Sequence, residues 1–381
     1  MNKKIISATA SLIGAVIGAG LFVLPHFLKE GGWLTFLICL IIFGGGMILC
    51  HLLLAEIILR TKKRKYFTGY VGKYLGERAR RLSFLYLFPG LVGALLVYML
   101  MVGQFLFLFG QPWLKIPPFY GSLALLVFAS LLVFRKEKML LKTQSASSFF
   151  LAVILLATIG YAAFKINPDS LIAFGKSFPL GLPGIIFFSL TGWNALPMMA
   201  RILTTPENKK KMGAIILFSL GGVALLYFLF SLALTSLGVD IINWSQIDYL
   251  SVSSFYLVKV LALIGLIAGA ASFFSLGNYL KNSLVVDYHF PNRLAIGATI
   301  LSPLLLYLLL GSGHLLSLMG IVGAFLGSLQ GGIILLIFLK ARKRGNRPPE
   351  YCLRNPRLAA GYMVFTLIAV TVLQIISLLR G

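Results

Sequence analysis

The chain has 381 residues, of which 59% are hydrophobic and only 12% are charged. This composition excludes a soluble domain and indicates a polytopic membrane protein, with room for about eleven spans of ~20 residues each. The formal net charge of +24 suggests a nucleic-acid partner, but the positions of the basic residues argue against one. Cys39, Cys50 and Cys352 have neither a paired framework nor metal-ligand spacing, so we expect no disulfide, no metal site and no cofactor.

Eleven apolar stretches follow one another along the chain, and each predicts a membrane-spanning helix. We number them as predicted spans 1 to 11, at about 5–28, 33–59, 82–110, 119–134, 144–165, 181–203, 212–238, 254–280, 293–310, 314–340 and 358–379. The loop at 239–252 is expected to carry a short surface helix. The fold class predicted is an all-α polytopic membrane protein, in which residues 1–381 form a single transmembrane domain.

Basic residues divide unequally between the two sides of a membrane when the eleven spans cross it alternately. With the N-terminus in the cytoplasm, 28 of the 34 Lys and Arg residues lie inside. The six outside are Lys29, Lys115, Lys165, Lys176, Lys259 and Arg380. An excess of Lys and Arg in cytoplasmic loops orients membrane proteins. We therefore expect a multi-pass protein of the cell membrane with a cytoplasmic N-terminus and an external C-terminus, whose basic loops face anionic lipid and not nucleic acid.

Predicted span 1 contains an interruption, with three glycines between Gly14 and Gly20 and a proline at Pro25. Each glycine costs ~1 kcal/mol against alanine in a helix interior. A broken helix is tolerated at membrane depth only where protein covers it or where it lines a cavity, and many transporters build substrate sites this way. Alternatively, the small residues serve close helix packing, because Gly14 and Gly18 have GxxxG spacing.

Predicted span 6 contains a second interruption, with Ser, Thr, Gly and Asn within 189–194 and a proline at Pro197. Spans 1 and 6 begin two sets of five spans, and an odd number per set makes the second set enter from the opposite side. Discontinuous helices in corresponding positions of such an inverted repeat indicate a transporter site. We predict repeat one at about 5–166, repeat two at about 180–340 and an extra helix at about 358–380.

The run Gly-Ala-Val-Ile-Gly-Ala-Gly-Leu-Phe-Val-Leu-Pro at 14–25 resembles the first-helix motif of the amino acid–polyamine–organocation superfamily. Within it, the chain is most similar to the hydroxy/aromatic amino acid permeases and the amino acid/auxin permeases. The leucine-rich run ending at Glu56 and the segment 271–274 also resemble theirs, whereas Gly-Trp-Asn at 192–194 departs from their pattern. The resemblance covers nearly the whole chain and implies a leucine-transporter-like fold and secondary active amino acid transport.

The broken helices offer partners for both charged groups of an amino acid, which are costly to desolvate. Free N–H groups near Ala19 and Gly20 suit the carboxylate, and carbonyls of both breaks suit the ammonium. Glycine lets the substrate approach the backbone. Tyr98 and Trp193 are candidates for a side-chain pocket built by spans 1, 3, 6, 8 and 10, with plain packing as the alternative. The predicted substrate site comprises Ala15, Val16, Gly18, Ala19, Gly20, Tyr98, Phe188, Ser189, Leu190, Thr191, Gly192 and Trp193.

Accumulation of a substrate requires a second solute that moves downhill through the same conformational change. For a proton, Glu56 and His51 on span 2 are the titratable candidates. The alternatives are an i,i+4 pair of Glu56 with Arg60 and a hydrogen bond from His51 to a neighbouring helix.

A sodium ion would require oxygen ligands. Carbonyls near Ala15 and Gly18, with the hydroxyls of Ser272 or Ser275, are the candidates, although serines often bond within their own helix. The permeases that the chain resembles are mostly proton-driven. The resemblance therefore favours proton-coupled symport, with sodium symport as the alternative.

Two rival classes of membrane protein lack support in the sequence. The ten acidic residues are scattered, without the cluster that a lipid-modifying enzyme would use to bind Mg²⁺-diphosphate. A channel would require a selectivity filter or a charged ring, and neither pattern is visible. We expect a transporter and not an enzyme, with an amino acid, a proton or sodium, and membrane lipids as partners.

Overall fold

The computed structural model describes residues 3–63, 65–111, 113, 117–133, 151–164, 171–238, 252–311 and 315–380. These residues form helices and connecting turns, with no β-strand among them. The helices of the first half are α1 (Lys3–Val16), α2 (Gly20–Gly31), α3 (Trp33–Leu59), α4 (Phe67–Leu75), α5 (Glu77–Gly110), α6 (Pro118–Val133) and α7 (Leu151–Ala163). Those of the second half are α8 (Leu182–Ser189), α9 (Leu196–Ile202), α10 (Pro206–Lys210), α11 (Met212–Ser236), α12 (Val252–Tyr288), α13 (Asn292–Leu310), α14 (Leu315–Ile321), α15 (Gly327–Arg344) and α16 (Pro356–Arg380).

Eight helical stretches in the described part of the chain are long and apolar enough to cross a membrane, and a ninth is added if α1 and α2 count as one bent span. The eight are Trp33–Leu59, Glu77–Gly110, Leu182–Ile202, Met212–Ser236, Tyr256–Tyr288, Asn292–Leu310, Leu315–Arg344 and Pro356–Arg380. Two shorter apolar helices, Pro118–Phe128 and Leu151–Ala163, lie where spans 4 and 5 are predicted. The count of eleven stays a prediction. Lys115, Lys165, 134–150 and the loop at 239–251 lie outside the described residues.

Both predicted interruptions are breaks in the structure. α1 ends at Val16 and α2 begins at Gly20, with a bend of 59° between them. α8 ends at Ser189, and a 3-10 turn at Trp193–Ala195 leads into α9. Pro197 stands in the first turn of α9, where its missing N–H leaves no helical bond unmade.

The broken helices lie in the middle of the bundle. α11 packs on both α1 and α2, and α3 packs on α8. In the most apolar part of Leu182–Ile202, 83% of the residues are buried, against 28% for α13 and 22% for α16. The two peripheral helices expose leucine and phenylalanine side chains, which suits contact with lipid.

One end of the bundle, which we call the basic end, consists of the loop at 60–66, α4, the start of α5 and the linker at 345–355. The last turn of α15 leads into this linker with Arg342, Lys343 and Arg344. A π-helical turn at Val322–Leu326 joins α14 to α15 in the interior, facing α8 and α5. The two ends of the bundle therefore differ in charge: basic loops lie at one end, and the two breaks lie between this end and the opposite one.

Candidate functional site

The two breaks lie directly against each other. A Cβ atom at Gly20 would stand only 2.8 Å from the Cα of Ser189, and one at Gly192 would collide with the side chain of Val16. Real Cβ atoms do not approach other atoms so closely, so a side chain at either position would force its neighbour to shift. The missing side chain at Gly20 therefore lets the backbone of the other broken helix approach. From the sequence alone, this close approach is expected of the substrate.

The hydroxyl of Tyr227 bridges the carbonyl ends of the two broken helices. This tyrosine, on α11, is completely buried. Its Oη lies 2.9 Å from the carbonyl oxygen of Val16 and 3.3 Å from that of Ser189, so it can donate its proton to either. Sequence reasoning missed Tyr227, because one tyrosine in an apolar span belongs to no motif and nothing indicates which way it faces.

A cavity opens beside this junction of the two breaks. Its empty volume, counted with its open mouth, is about 650 Å³. The lining residues come from predicted spans 1, 3, 6, 8 and 10, which are the five that the sequence suggested. They are Ala15, Tyr86, Leu87, Gly90, Leu91, Ala94, Tyr98, Phe188, Thr191, Trp193, Asn194, Ser272, Leu276, Val322, Gly323, Leu326, Gly327 and Gln330.

The structure divides the predicted substrate residues into two groups. Those that line the cavity are Ala15, Tyr98, Phe188, Thr191 and Trp193. Those that are not among the lining residues are Val16, Gly18, Ala19, Gly20, Ser189, Leu190 and Gly192. The second group lies in the two breaks and at the helix ends beside them.

Side chains from α5 and α12 meet at the break between α1 and α2. A Cβ at Gly18 would stand 2.8 Å from the Oγ of Ser272 and 3.2 Å from the Oη of Tyr98. The hydroxyl of Ser272 donates to the carbonyl of Ile17 at 3.3 Å. The rings of Tyr98 and Phe188 lie 6.0 Å apart, centroid to centroid. The cavity thus has hydroxyl groups next to the broken backbone and aromatic rings beside them.

The other polar part of the cavity lies toward the basic end. In the described part of the chain, the Oη of Tyr86 and the Nε2 of Gln330 have no hydrogen-bond partner, although both atoms are buried. Gly90 in α5 faces Leu326, and α5 runs antiparallel to the helix that contains Gln330. One helical turn further toward the basic end, Tyr86 and Gln330 therefore lie at the same level. Tyr98 and Tyr86 are separated by roughly 18 Å along the axis of α5. The cavity is therefore elongated along α5.

His51 supports the break between α8 and α9. Its Nε2 accepts the N–H of Gly192 at 3.1 Å, and its Nδ1 lies 2.7 Å from the carbonyl oxygen of Met47. This pairing places the proton on Nδ1, which donates to Met47. The completely buried ring thus satisfies a backbone donor that the break leaves without a helical partner. Of the two interpretations of His51, the hydrogen bond to a neighbouring helix is present in the structure.

Glu56 joins three segments at the basic end. Its carboxylate accepts hydrogen bonds at 2.9 Å from the Nε of Arg60 and the Nε of Arg342, and at 2.8 Å from the N–H of Leu353. The i,i+4 pair with Arg60 is therefore present. The contacts with α15 and the linker were not visible in the sequence, because 286 residues separate Glu56 from Arg342.

Ser272 and Ser275 reach from α12 toward different breaks. Ser272 bonds to Ile17 beyond the end of α1, whereas the Oγ of Ser275 accepts from the Nδ2 of Asn194 at 3.4 Å. Both therefore have bonds outside their own helix. Across the described residues, no group of three or more His, Cys, Asp and Glu side chains could hold a metal ion.

Comparisons with known proteins give a structural relative and a family. The crystal structure of MhsT in complex with L-phenylalanine matches with a TM-score of 0.66 and 14% sequence identity, covering 97% of each chain. At this identity the likeness shows the fold alone, which is leucine-transporter-like. Comparison with curated proteins gives no match. The model of the family described as transmembrane amino acid transporter protein matches residues 1–233, more than half of the chain. The chain therefore belongs to the transmembrane amino acid transporter family.

Proposed function

We propose that this chain is a secondary active permease that binds one amino acid beside its broken helices and carries it across the cell membrane by alternating access. The family identifies a transporter of amino acids and not an enzyme. The observation that carries the proposal is the cavity, which reaches one break at Ala15 and the other at Phe188 and Thr191. MhsT, which shares the fold, was crystallised with L-phenylalanine.

The backbone at the breaks would bind the two charged groups of the amino acid. The N–H groups of Gly18, Ala19 and Gly20 lie at the N-terminal end of α2, where the positive end of the helix dipole favours the carboxylate. The hydroxyl of Tyr98, directed at Gly18, is a further donor.

The ammonium group would go to the carbonyls of Ala15, Phe188 and Leu190. Those of Val16 and Ser189 are less suitable, because the hydroxyl of Tyr227 already lies against them.

The rest of the cavity favours a substrate with a neutral side chain. Among the described residues that line it, none is Asp, Glu, Lys or Arg. An ionised side chain would therefore lose its hydration without gaining an opposite charge. Leu91, Ala94 and Leu276 would contact an apolar side chain, and Phe188 and Trp193 flank it with aromatic surface.

We propose that a proton drives uptake, as in the permeases that the sequence resembles. His51 and Glu56 are the titratable candidates, and each is hydrogen-bonded to another segment of the bundle, His51 to Gly192 and Glu56 to Arg342. If one of them carries the proton, its replacement by glutamine should remove the pH dependence of uptake more than amino acid binding. Uptake that keeps its pH dependence in both variants would exclude both residues.

The alternative is sodium coupling at Ala15, Gly18, Ser272 and Ser275. The closeness of Ser272 to Gly18 favours it, because a hydroxyl and backbone carbonyls meet there. Such a site would consist of neutral oxygens only. Amino acid binding that strengthens with added sodium, and that loses this response in Ser272→Ala, would support it; binding that is the same with and without sodium would exclude it.

We also propose the topology and the internal repeat that the charge pattern and the breaks suggest. Each broken span is the first of a five-span repeat, at about 5–166 and about 180–340, and the extra helix follows at about 358–380. The N-terminus is cytoplasmic. In a Cys352→Ser background, cysteine placed at Lys210 should react with an impermeant thiol reagent from the cytoplasmic side only. Reaction from outside would contradict this orientation.

The function is tested by the melting temperature of the purified protein with each amino acid in turn. One or a few neutral amino acids should raise it, because a ligand that binds only the folded state stabilises that state. Tyr98→Phe, which removes only a hydroxyl, should weaken the affinity about tenfold, which corresponds to ~1.4 kcal/mol. Tyr307→Phe is the matched control, because Tyr307 is buried on α13 away from the cavity.

A protein that no amino acid stabilises would contradict the proposed function. Equal affinity loss in Tyr98→Phe and Tyr307→Phe would keep amino acid binding but move it away from this cavity.

A further inference from the structure

The C-terminal ends of two helices point at the same hydroxyl group. α1 ends at Val16 and α8 ends at Ser189, and the carbonyl oxygens of both residues lie within hydrogen-bond distance of the Oη of Tyr227. The two oxygens must therefore lie within roughly 6 Å of each other. A helix C-terminus carries about half a negative charge, so two partial negative charges meet at this point in the interior.

Such a place suits a small cation. Where transporter helices are discontinuous, the carbonyls of the unwound backbone and of half-helix C-termini coordinate sodium ions or protons. A hydroxyl group supplies only one hydrogen and a partial positive charge. It can nevertheless satisfy these carbonyls if it is held in place by the rest of the fold.

α11 holds this hydroxyl rigidly. It packs against both α1 and α2, and the ring of Tyr227 is completely buried. Phe230 lies three residues further on the same face, where its ring contacts that of Phe22 in α2 at 6.2 Å. One face of α11 therefore fastens both halves of the broken span, and it brings the hydroxyl to the junction without any ligand.

We propose that the Tyr227 hydroxyl takes the place of a monovalent cation at the junction of the two broken helices. The wild-type chain then needs no cation at this point, and removal of the hydroxyl creates a cation site from the carbonyls of Val16 and Ser189. Tyr227 is thus a positioning residue that keeps the breaks together. This inference rests on the geometry of the junction and holds whatever molecule the chain transports.

The test is the melting temperature of purified Tyr227→Phe, without amino acid, in choline, lithium, sodium and potassium chloride at equal ionic strength. The wild type should melt at the same temperature in all four salts. Tyr227→Phe should lose several degrees in choline and regain most of this loss, in a saturable way, with at least one of the small cations. Choline is too large to enter the space of a hydroxyl group.

Tyr362→Phe is the matched control. The hydroxyl of Tyr362, on α16, also donates to a backbone carbonyl, but to that of Ile42 in α3 at 2.6 Å and not to that of Val16 or Ser189. Its removal should lower the melting temperature equally in all four salts. If Tyr227→Phe is too unstable in choline, it is purified in sodium and then exchanged into choline, and unfolding on exchange supports the inference.

Two results would overturn the inference. One is a stabilisation by small cations over choline that is as large in the wild type as in Tyr227→Phe, because the cation would then not bind in the space that the lost hydroxyl leaves. The other is a loss in Tyr227→Phe that is the same in every salt, including failure to fold in sodium. Neither result depends on amino acid binding, so the proposed function can fail separately.

Discussion

Gly18 and Gly20 stand two residues apart in the first break and face different neighbours. A Cβ at Gly18 meets the ends of two side chains, those of Tyr98 and Ser272, which line the cavity. A Cβ at Gly20 meets the Cα of Ser189, which belongs to the backbone of the other broken helix. Side-chain ends can move aside, but a packed backbone cannot, so the two glycines should respond differently to the same substitution.

We predict that Gly18→Ala weakens amino acid binding about tenfold, ~1.4 kcal/mol, with little change in stability, because it displaces the Tyr98 hydroxyl. Gly20→Ala should instead lower the free energy of unfolding by ~1–3 kcal/mol, because the added methyl group overpacks the junction. Binding isotherms and melting temperatures of both variants measure the difference. Gly221→Ala is the control, since a Cβ there meets nothing within 4 Å. Equal stability of Gly18→Ala and Gly20→Ala would show that the junction is looser than described.

The residues of the site could be predicted most directly where the backbone itself supplies the chemistry. Three glycines and a proline within one span locate the first break, since their helix propensities are poor whatever surrounds them. Tyr227 and the bond from His51 to Gly192 could not be found this way. Both depend on which face of a uniformly apolar helix turns inward, and that is decided by packing against distant segments.

The short helix α4 is attached to the bundle by a carboxylate from another helix. Asp287, near the end of α12, accepts from the hydroxyl of Thr68 at 2.7 Å and from the N–H groups of Gly69 and Tyr66 at 2.9 and 3.3 Å. It thus caps the N-terminus of α4, where backbone donors have no helical partner. Asp287 is buried, so this cap also fixes α4 beneath Trp193, whose ring contacts Phe67 at 5.9 Å.

We predict that Asp287→Asn loosens α4, because an amide cannot accept all three of these hydrogen bonds. Backbone hydrogen exchange in 66–75 should accelerate, and the free energy of unfolding should fall by ~1–3 kcal/mol. Mass spectrometry of exchanged peptides measures the first effect, with α13 as the internal reference. Glu77→Gln is the matched variant, because its exposed pair with Arg80 should contribute little. Unchanged exchange in 66–75 would contradict the assigned role of Asp287.

At the level of whole helices, length and apolar composition predicted most of the architecture. The described helices coincide with predicted spans 1 to 3 and 6 to 11, since a stretch of ~20 apolar residues has few stable alternatives to a membrane helix. The connections at the basic end could not be predicted. Glu56 and Arg342 are 286 residues apart, and Asp287 and Thr68 are 219 apart, so only the assembled bundle brings them together.

The two ends of the molecule are packed differently around the breaks. The cavity runs from Tyr98 toward the basic end, as far as Tyr86 and Gln330. On the opposite side, the ring of Phe22 lies 4.5 Å from that of Phe105 and 6.2 Å from that of Phe230. With a cytoplasmic basic end, as proposed, the structure corresponds to the state of the transport cycle in which the site is closed to the outside.

Alternating access requires the broken helices to move against the rest of the bundle so that this asymmetry reverses. The junction of Val16 and Gly20 with Ser189 and Gly192 should move as one body, because Gly20 packs on Ser189 and Gly192 packs on the side chain of Val16 with no room to spare. The ring contact of Phe22 with Phe105 and the hydrogen bond of Glu56 with Arg342 then lie at opposite ends of that body. A downhill solute has to favour one of the two arrangements, or the amino acid only equilibrates.

The most direct measurement is uptake of the stabilising amino acid into proteoliposomes under one imposed gradient at a time. We predict accumulation when the outside is acidic, with no sodium present, and none when a sodium gradient acts alone at equal pH and zero membrane potential. Tyr98→Phe liposomes, matched for protein content, should accumulate less at the same gradient. Accumulation driven by the sodium gradient alone would contradict proton coupling and favour Ser272 and Ser275, and no accumulation under either gradient would contradict secondary active transport.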